Sequence, residues 1–479
     1  MKKYAYLLKN IGLLTLSNFA TKLLSFFLVP LYTSVLSTDE YGTYDLFYTT
    51  SYLLIPILSI NLVESVIRFC LDKSKDTKEV VSISLKMILI GLIPFTVLII
   101  INSIFNIFEV FNTYLVFFIF MYLSIGINQF MFNIARGIDK VKSVSIAGVL
   151  NTIVMLSLNL LLLLKFKLGI DGYFIAYISG LSVSSLYLIM DTKVWKYISF
   201  KSKNTLLKKE MVAYSAPLMI NSISWWINNS SDRYIVIALC GMAENGIYSV
   251  GYKIPSILNI LQGIFNQAWI LSSVKEFDPE DKDGFFAKTY KAYNCLLVVV
   301  CSLIIIFTKV LAKFLYANDF YEAWKYVPFL TISIIFGAVS GHLGGIFSAV
   351  KDSKSFSRTT IVGAATNIIL NLIFIHFLGT IGAAIATMVS YIIVWAMRII
   401  YAKKYIKLRL NLKKDIFNYI LLIVQSALLF IISNNIVLYI CEFALLFIIA
   451  ATYNYEIKLI VQKIFNRTGG HAAQNGNHQ

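Results

Sequence analysis

Charge is scarce in this chain. Only 14% of its 479 residues are Asp, Glu, Lys or Arg, while 58% are hydrophobic. A soluble domain carries about a quarter charged residues, so the deficit excludes that class and leaves an all-α polytopic membrane protein. Cysteine is also sparse: Cys70, Cys240, Cys295, Cys301 and Cys441 stand singly in apolar segments without metal-like spacing. They read as small packing residues, not as a disulfide framework or a metal site. The chain has no Gly-rich phosphate loop, no HExxH and no acidic cluster on the outer side. Its longest outer loop, at 309–324, is too short and plain to house a polymerase active site. No enzyme activity and no cofactor are expected.

What the chain has is apolar runs. A span needs about 20 mostly apolar residues, and hydropathy predicts fourteen: 10–36, 41–68, 80–107, 112–135, 143–165, 170–192, 210–240, 244–272, 285–308, 324–349, 358–378, 380–402, 414–434 and 436–458. The first is basic and then apolar, longer than a signal-peptide h-region and without a cleavage site, so it reads as a retained helix. The loops check this pattern. Lys165, Lys167, Lys309, Lys313 and Lys325 fall on one side; Lys22, Arg233 and Lys253 fall inside helices; all other cations fall on the opposite side. That asymmetry places both termini in the cytoplasm and demands an even number of spans. It also explains the net charge of +17 without nucleic acid.

The chain repeats itself. Glu40-Tyr41-Gly42-Thr43-Tyr44 follows helix 1, and Glu244-Asn245-Gly246-Ile247-Tyr248 follows helix 7, 204 positions later. Leu168-Gly169-Ile170-Asp171-Gly172 and Leu378-Gly379-Thr380-Ile381-Gly382 match at an offset of 210. Two matches in order predict a duplicated six-helix unit with a pseudo-two-fold along the membrane normal. The expected organisation is an N-lobe at 1–192, a cytoplasmic linker at 193–209, a C-lobe at 210–402, two added helices within 403–460, and a disordered tail at 461–479. His471 and His478 in that tail need no metal.

Three cations and one anion stand inside spans. Lys22 lies roughly 16 Å into helix 1 at 1.5 Å per residue. Arg233 and Lys253 lie at similar depth on helices 7 and 8, with Asp232 beside Arg233. Charge at bilayer depth costs several kcal/mol and persists where it faces a polar cavity or a partner. Arg233, Lys253 and Lys22 therefore read as a cationic cavity for an anionic substrate, with Arg as a bidentate fork and Lys as a point charge. The alternative is a bridge from Asp232 to Lys22 or Lys253, with Arg233 reaching the interface. Asp232 has two readings, charge pairing and linkage to a coupling ion, H+ or Na+. Asn221, Asn228, Asn229, Trp225, Trp226 and Trp269 suit a wet, sugar-binding cavity, or inter-helix packing. Glu64 is explained by an i,i+4 pair with Arg68, and Asp45 needs no special role. Pro30, Pro56, Pro94 and Pro255 each permit a kink.

Asp232-Arg233-Tyr234-Ile235-Val236, Gly246-Ile247-Tyr248-Ser249-Val250-Gly251-Tyr252-Lys253-Ile254 and Ala268-Trp269 resemble the middle signature of Wzx-type oligosaccharide flippases. Those belong to the multidrug/oligosaccharidyl-lipid/polysaccharide exporter superfamily. Asn10 to Tyr44 and the Gly379 to Thr387 turn resemble other parts of the same family. The resemblance implies movement of an undecaprenyl-diphosphate-linked oligosaccharide from the inner to the outer leaflet of a bacterial plasma membrane. It implies alternating access between two lobes, ion coupling, and partnership with other polysaccharide-assembly proteins. A lipid II flippase or a cation-coupled drug exporter would share the fold; a polymerase or a scaffold is a more distant alternative.

Overall fold

The computed structural model describes residues 26–72, 74–199, 204–459 and 462. These residues form helices and their connections: α1 (Val29–Val35), α2 (Thr38–Leu58), α3 (Leu62–Leu71), α4 (Thr77–Phe105), α5 (Glu109–Thr113), α6 (Leu115–Gly137), α7 (Val141–Asn159, continued by a π-helical turn Leu160–Lys165), α8 (Gly169–Thr192), α9 (Thr205–Cys240), α10 (Met242–Gly251), α11 (Ser256–Lys275), α12 (Phe285–Leu315), α13 (Val327–Ala349), α14 (Ser353–Leu378), α15 (Thr380–Ala402), α16 (Leu412–Ile431) and α17 (Asn435–Thr452). Among the described residues ten helices are long and apolar enough to cross a membrane, or eleven if α2 and α3 count as one span. At 36 residues α9 is the longest helix among the described residues, yet it is not among the ten, because Asn221 to Arg233 dilutes its apolar character.

Eleven of the fourteen expected helices recur with ends shifted by a turn or two. The first lies mostly outside the described residues. The second is not continuous: α2 and α3 meet at a bend of 57°. Its cause is local. Pro56 interrupts the ladder of α2, and Ile60 and Asn61 both adopt left-handed backbone, with φ of 50° and 54°. Such angles stop a right-handed helix, and for β-branched Ile60 they are costly. The eighth expected helix is likewise two, because Tyr252 to Pro255 separates α10 from α11.

By contacts the chain groups into two compact units. The first holds the described residues up to Val250 together with Leu315–Phe320. The stretch 315–320 joins it through α1: Thr33 Oγ1 donates to the Leu315 carbonyl at 3.0 Å and accepts from the Ala317 amide at 3.1 Å. Within this unit α6 packs on α2, α3 and α8, and α9 lies against α2 and α3. The start of α2 is a capping box, in which the Ser37 side chain accepts from the Glu40 amide and Glu40 accepts from the Ser37 amide. Two otherwise orphaned donors are satisfied. Glu40 also accepts from the Ile170 amide at 3.3 Å, tying the start of α8 to the start of α2. The first unit thus takes in α9 and nearly all of α10, which the repeat alone assigns to the second copy.

The second unit holds Gly251–Phe314 and the described residues from Tyr321 onward. Buried over most of its length, α13 packs on α11, α15 and α16. The α14–α15 hairpin turns at Gly379, whose φ of 64° favours glycine. Arg398 was expected among the loop cations; it lies within α15 instead and is 2% exposed. It is tolerated there because its donors are met. Nε donates to Thr359 Oγ1 at 3.1 Å, Nη1 to the Ser340 carbonyl at 2.8 Å, and Nη2 to Thr360 Oγ1 at 3.0 Å. The guanidinium also sits 4.2 Å from the Phe356 ring centroid.

Candidate functional site

A cavity of about 510 Å³ opens within the first unit, built by α2, α3, α6 and α9. The bend between α2 and α3 is what makes room for it. From α2 come Tyr48, Thr49, Tyr52 and Pro56; the bend and α3 contribute Asn61 and Glu64; α6 adds Gln129. From α9 come Asn221, Ser222, Trp225, Trp226, Asn229 and Ser230. Residues at i, i+3 and i+4 share a helix face, so 222, 225, 226, 229 and 230 present one polar-aromatic stripe. Trp226 is held in place by its indole N–H, which donates to the Thr49 carbonyl at 2.8 Å. Asn61 is 3% exposed, and its Nδ2 has no hydrogen-bond partner among the described residues. A buried amide donor of this kind is costly unless something else accepts from it. Among the described residues the lining carries one carboxylate, Glu64, and no Lys or Arg.

Arg233 stands one helical turn beyond the lining residue Asn229. Its Nη1 donates to the Asn229 carbonyl at 2.7 Å, and its Nε lies 2.8 Å from Asp45 Oδ2. Asp232 Oδ1 is 3.8 Å from Arg233 Nη1, and Asp232 Oδ2 accepts from the Tyr248 hydroxyl at 2.6 Å. Arg233 is 9% and Asp232 1% exposed, so the group is a buried cluster next to the cavity. Above the same α2–α9 contact, Thr50 and Tyr234 share a hydroxyl–hydroxyl hydrogen bond.

Of the residues singled out from sequence, Asn221, Trp225, Trp226 and Asn229 line this cavity. Asn228 is buried behind it, donating to the Ser224 carbonyl at 3.0 Å. Lys253 belongs to the second unit, half-buried on the break between α10 and α11. Lys22 lies outside the described residues. Trp269 is buried in the second unit, where its indole donates to the His342 carbonyl at 2.8 Å.

Two acidic residues depart from expectation. Asp45 is the carboxylate opposite Arg233, brought there by the packing of α2 on α9. Glu64 is not paired with Arg68, which instead lies 3.9 Å from Asp72, four residues further on. The i,i+4 rule applies equally to both spacings, and only the direction of the α3 side chains chooses between them. Gln129 and Asn61 were missed altogether. A lone amide in an apolar run carries no periodic signal.

Residues 7–270, more than half of the chain, match the family model described as polysaccharide biosynthesis protein. The chain belongs to that family. Every lining residue of the cavity falls inside the matched stretch. An uncharacterized membrane protein of Methanocaldococcus jannaschii is 26% identical over 286 residues, 55% of this chain and 65% of that protein. A probable low-salt glycan biosynthesis flippase of Haloferax volcanii is 21% identical over 216 residues, 44% of each chain. This chain therefore spans less than two thirds of the length of either relative.

Among solved structures, the lipid II flippase MurJ in an inward closed conformation aligns with a TM-score of 0.70, at 13% identity, covering 92% of this chain and 99% of that one. An inward-facing MATE family transporter of the MOP superfamily aligns with a TM-score of 0.66, at 15% identity, covering 80% and 94%. This polysaccharide biosynthesis protein thus has the two-lobe fold of the MOP superfamily transporters and is a multi-pass membrane protein.

Proposed function

We propose that the chain is a flippase carrying an undecaprenyl-diphosphate-linked oligosaccharide from the inner to the outer leaflet of a plasma membrane by alternating access. The observation that carries this reading is the chemistry of the 510 Å³ cavity. Amides, hydroxyls and indole rings are what a sugar chain needs: donors and acceptors for its hydroxyls, and flat apolar faces for its C–H surfaces. The family description and the Haloferax relative's name point to glycan assembly. The fold is shared with a lipid II flippase. In this reading Arg233 answers the diphosphate, with Lys253 and Lys22 as further cations. Arg233 faces Asp45 through one close contact in the conformation described, so the incoming phosphate displaces that carboxylate and takes the guanidinium in a bidentate grip. Asp232 stays bound to Tyr248 and serves as the pairing or ion-linked group.

The test is a leaflet-resolved assay on the purified full chain in liposomes carrying fluorescent lipid-linked oligosaccharides. Arg233→Ala is expected to insert normally and to lose outward transfer. Undiminished transfer by that variant would sink the role given to Arg233, and no transfer by the wild-type chain would sink the flippase reading. One observation favours a second reading: Glu64 is the lining charge among the described residues, and a single carboxylate suits an organic cation. Export of a fluorescent organic cation that Glu64→Gln abolishes, without glycolipid transfer, would establish the drug-exporter alternative.

A further inference from the structure

A second cavity lies far from this one in sequence, at the end of the α14–α15 hairpin opposite Gly379. It encloses about 370 Å³. Lys354, Ser355 and Arg358 come from the first turns of α14; Ile400 from the end of α15; Lys404 and Tyr405 from just beyond it. The loop pattern of the sequence assigns this end to the cytoplasmic side.

The three cations converge on one space, and none of them makes an ion pair among the described residues. Asp352, the neighbouring acid, lies within the field of Lys404 but forms no ion pair among the described residues, and both its oxygens accept hydrogen bonds. Its Oδ1 accepts from the Ser355 amide at 3.1 Å, and its Oδ2 accepts from the Tyr405 hydroxyl at 2.6 Å. That second bond fixes one wall of the cavity. Lys404 Nζ stands 5.3 Å from the Tyr405 ring centroid, held over the same wall.

Topogenic cations need only sit on the correct side of the membrane. They do not need to surround a volume. The other wall is apolar: Ile400 is 62% exposed, and Ile361, one turn beyond Arg358, is 52% exposed. Exposed isoleucines on membrane-spanning helices face acyl chains. The cavity therefore sits where lipid-facing surface meets three cations with a single acid, Asp352, beside them among the described residues, the arrangement that receives an anionic headgroup with its tails alongside.

We propose that this cavity binds the phosphate headgroup of an anionic glycerophospholipid, with Arg358 as the fork and Lys354 and Lys404 as point charges. The source of the phosphate is a membrane lipid and not a soluble ion, because the Ile400 wall offers nothing to inorganic phosphate. The site is independent of the translocation cavity and of the function proposed for it.

The test is native mass spectrometry of the purified full chain titrated with phosphatidylglycerol, with phosphatidylcholine and with inorganic phosphate. Wild type is expected to retain phosphatidylglycerol in preference to phosphatidylcholine. Lys354→Gln/Arg358→Gln/Lys404→Gln is expected to weaken retention by of order a hundredfold. Ser355→Phe, which places a ring in the cavity and leaves every charge in place, is expected to weaken it as well. This variant covers the case in which the triple change upsets membrane insertion. A control triple on other elements, Lys208→Gln/Lys209→Gln/Lys413→Gln, should retain the lipid. Equal retention of the two lipids by wild type, or full retention by Ser355→Phe, would overturn the proposal. So would displacement of phosphatidylglycerol by equimolar inorganic phosphate, which would identify a free-phosphate site.

Discussion

Gly42 and Gly246 lie against one another, and each is held to glycine by a carbonyl one turn before the other. A Cβ on Gly42 would collide with the Met242 carbonyl, and one on Gly246 with the Thr38 carbonyl. Each of these Cβ atoms would also come within 3.1 Å of the other glycine's amide nitrogen. Thr38 and Met242 are themselves 204 positions apart, as are Gly42 and Gly246. The contact is reciprocal in the way a two-fold-related pair must be. The sequence repeat is thus realised as a direct crossing of α2 and α10. Asn245, beside Gly246, reinforces it by donating to the Gly42 carbonyl at 3.1 Å.

Substituting either glycine should therefore push these two helices apart. Gly42→Ala and Gly246→Ala are each expected to cost about 1–3 kcal/mol, the usual range for overpacking. The double variant should cost less than the sum, since one displacement accommodates both methyls. Thermal melting of the detergent-solubilised chain reads all three, and unchanged midpoints would show that the close approach is dispensable.

Removing Arg233 leaves the half-buried Asp45 and the buried Asp232 as neighbouring carboxylates without the guanidinium. Arg233→Ala is expected to destabilise by about 3–5 kcal/mol, because breaking a buried pair strands its partner. Asp45→Asn in the same chain should recover much of that loss. If the double variant melts no higher than Arg233→Ala alone, the 2.8 Å contact contributes little.

Arg398 is a structural cation. Arg398→Ala removes three hydrogen bonds and a ring contact from the centre of the second unit and is expected to cost about 3 kcal/mol or more. Arg398→Lys should recover only part, since an ammonium does not span Thr359, Thr360 and Ser340 from one plane. Leaflet transfer by the surviving folded fraction should be unaffected, a split that a combined melting and transport measurement resolves.

Ser355, through its side chain and its amide, and then Tyr405 hold the Asp352 carboxyl down to about 2. A lowered acid pKa stabilises the folded form above the ordinary carboxylate range, and that contribution fades as pH falls through the folded value. The difference in melting temperature between wild type and Asp352→Asn should be constant from pH 7 to about pH 5 and shrink toward pH 2. A difference that stays constant to the acid limit would mean the cap at Asp352 is not charge-dependent.

The cavity residues call for a different signature. Asn221→Leu and Gln129→Leu keep bulk while removing hydrogen-bonding groups from a half-exposed wall, so melting should change by less than about 1 kcal/mol. Outward transfer of lipid-linked oligosaccharide should fall, and more for longer glycans. Equal loss for all glycan lengths would place these amides outside the sugar path.

Hydropathy along the chain was enough to assign the membrane class and most helix positions, because each depends on what one residue gains or loses between lipid and water, and the duplication was legible in short motifs that recur along the chain. Pairing between helices was not legible in that way. Asp45 meets Arg233, Glu64 parts from Arg68, and Arg398 turns inward according to the rotation and register of whole helices. The left-handed turn at Ile60 and Asn61 then decides how α3 leaves α2, and with it whether a polar cavity exists beside α9 at all. Nothing in the letters Ile60-Asn61 announces those angles, since both residue types ordinarily adopt negative φ. For that reason the helices could be located from one chain of letters, while the chamber they surround required their arrangement in space.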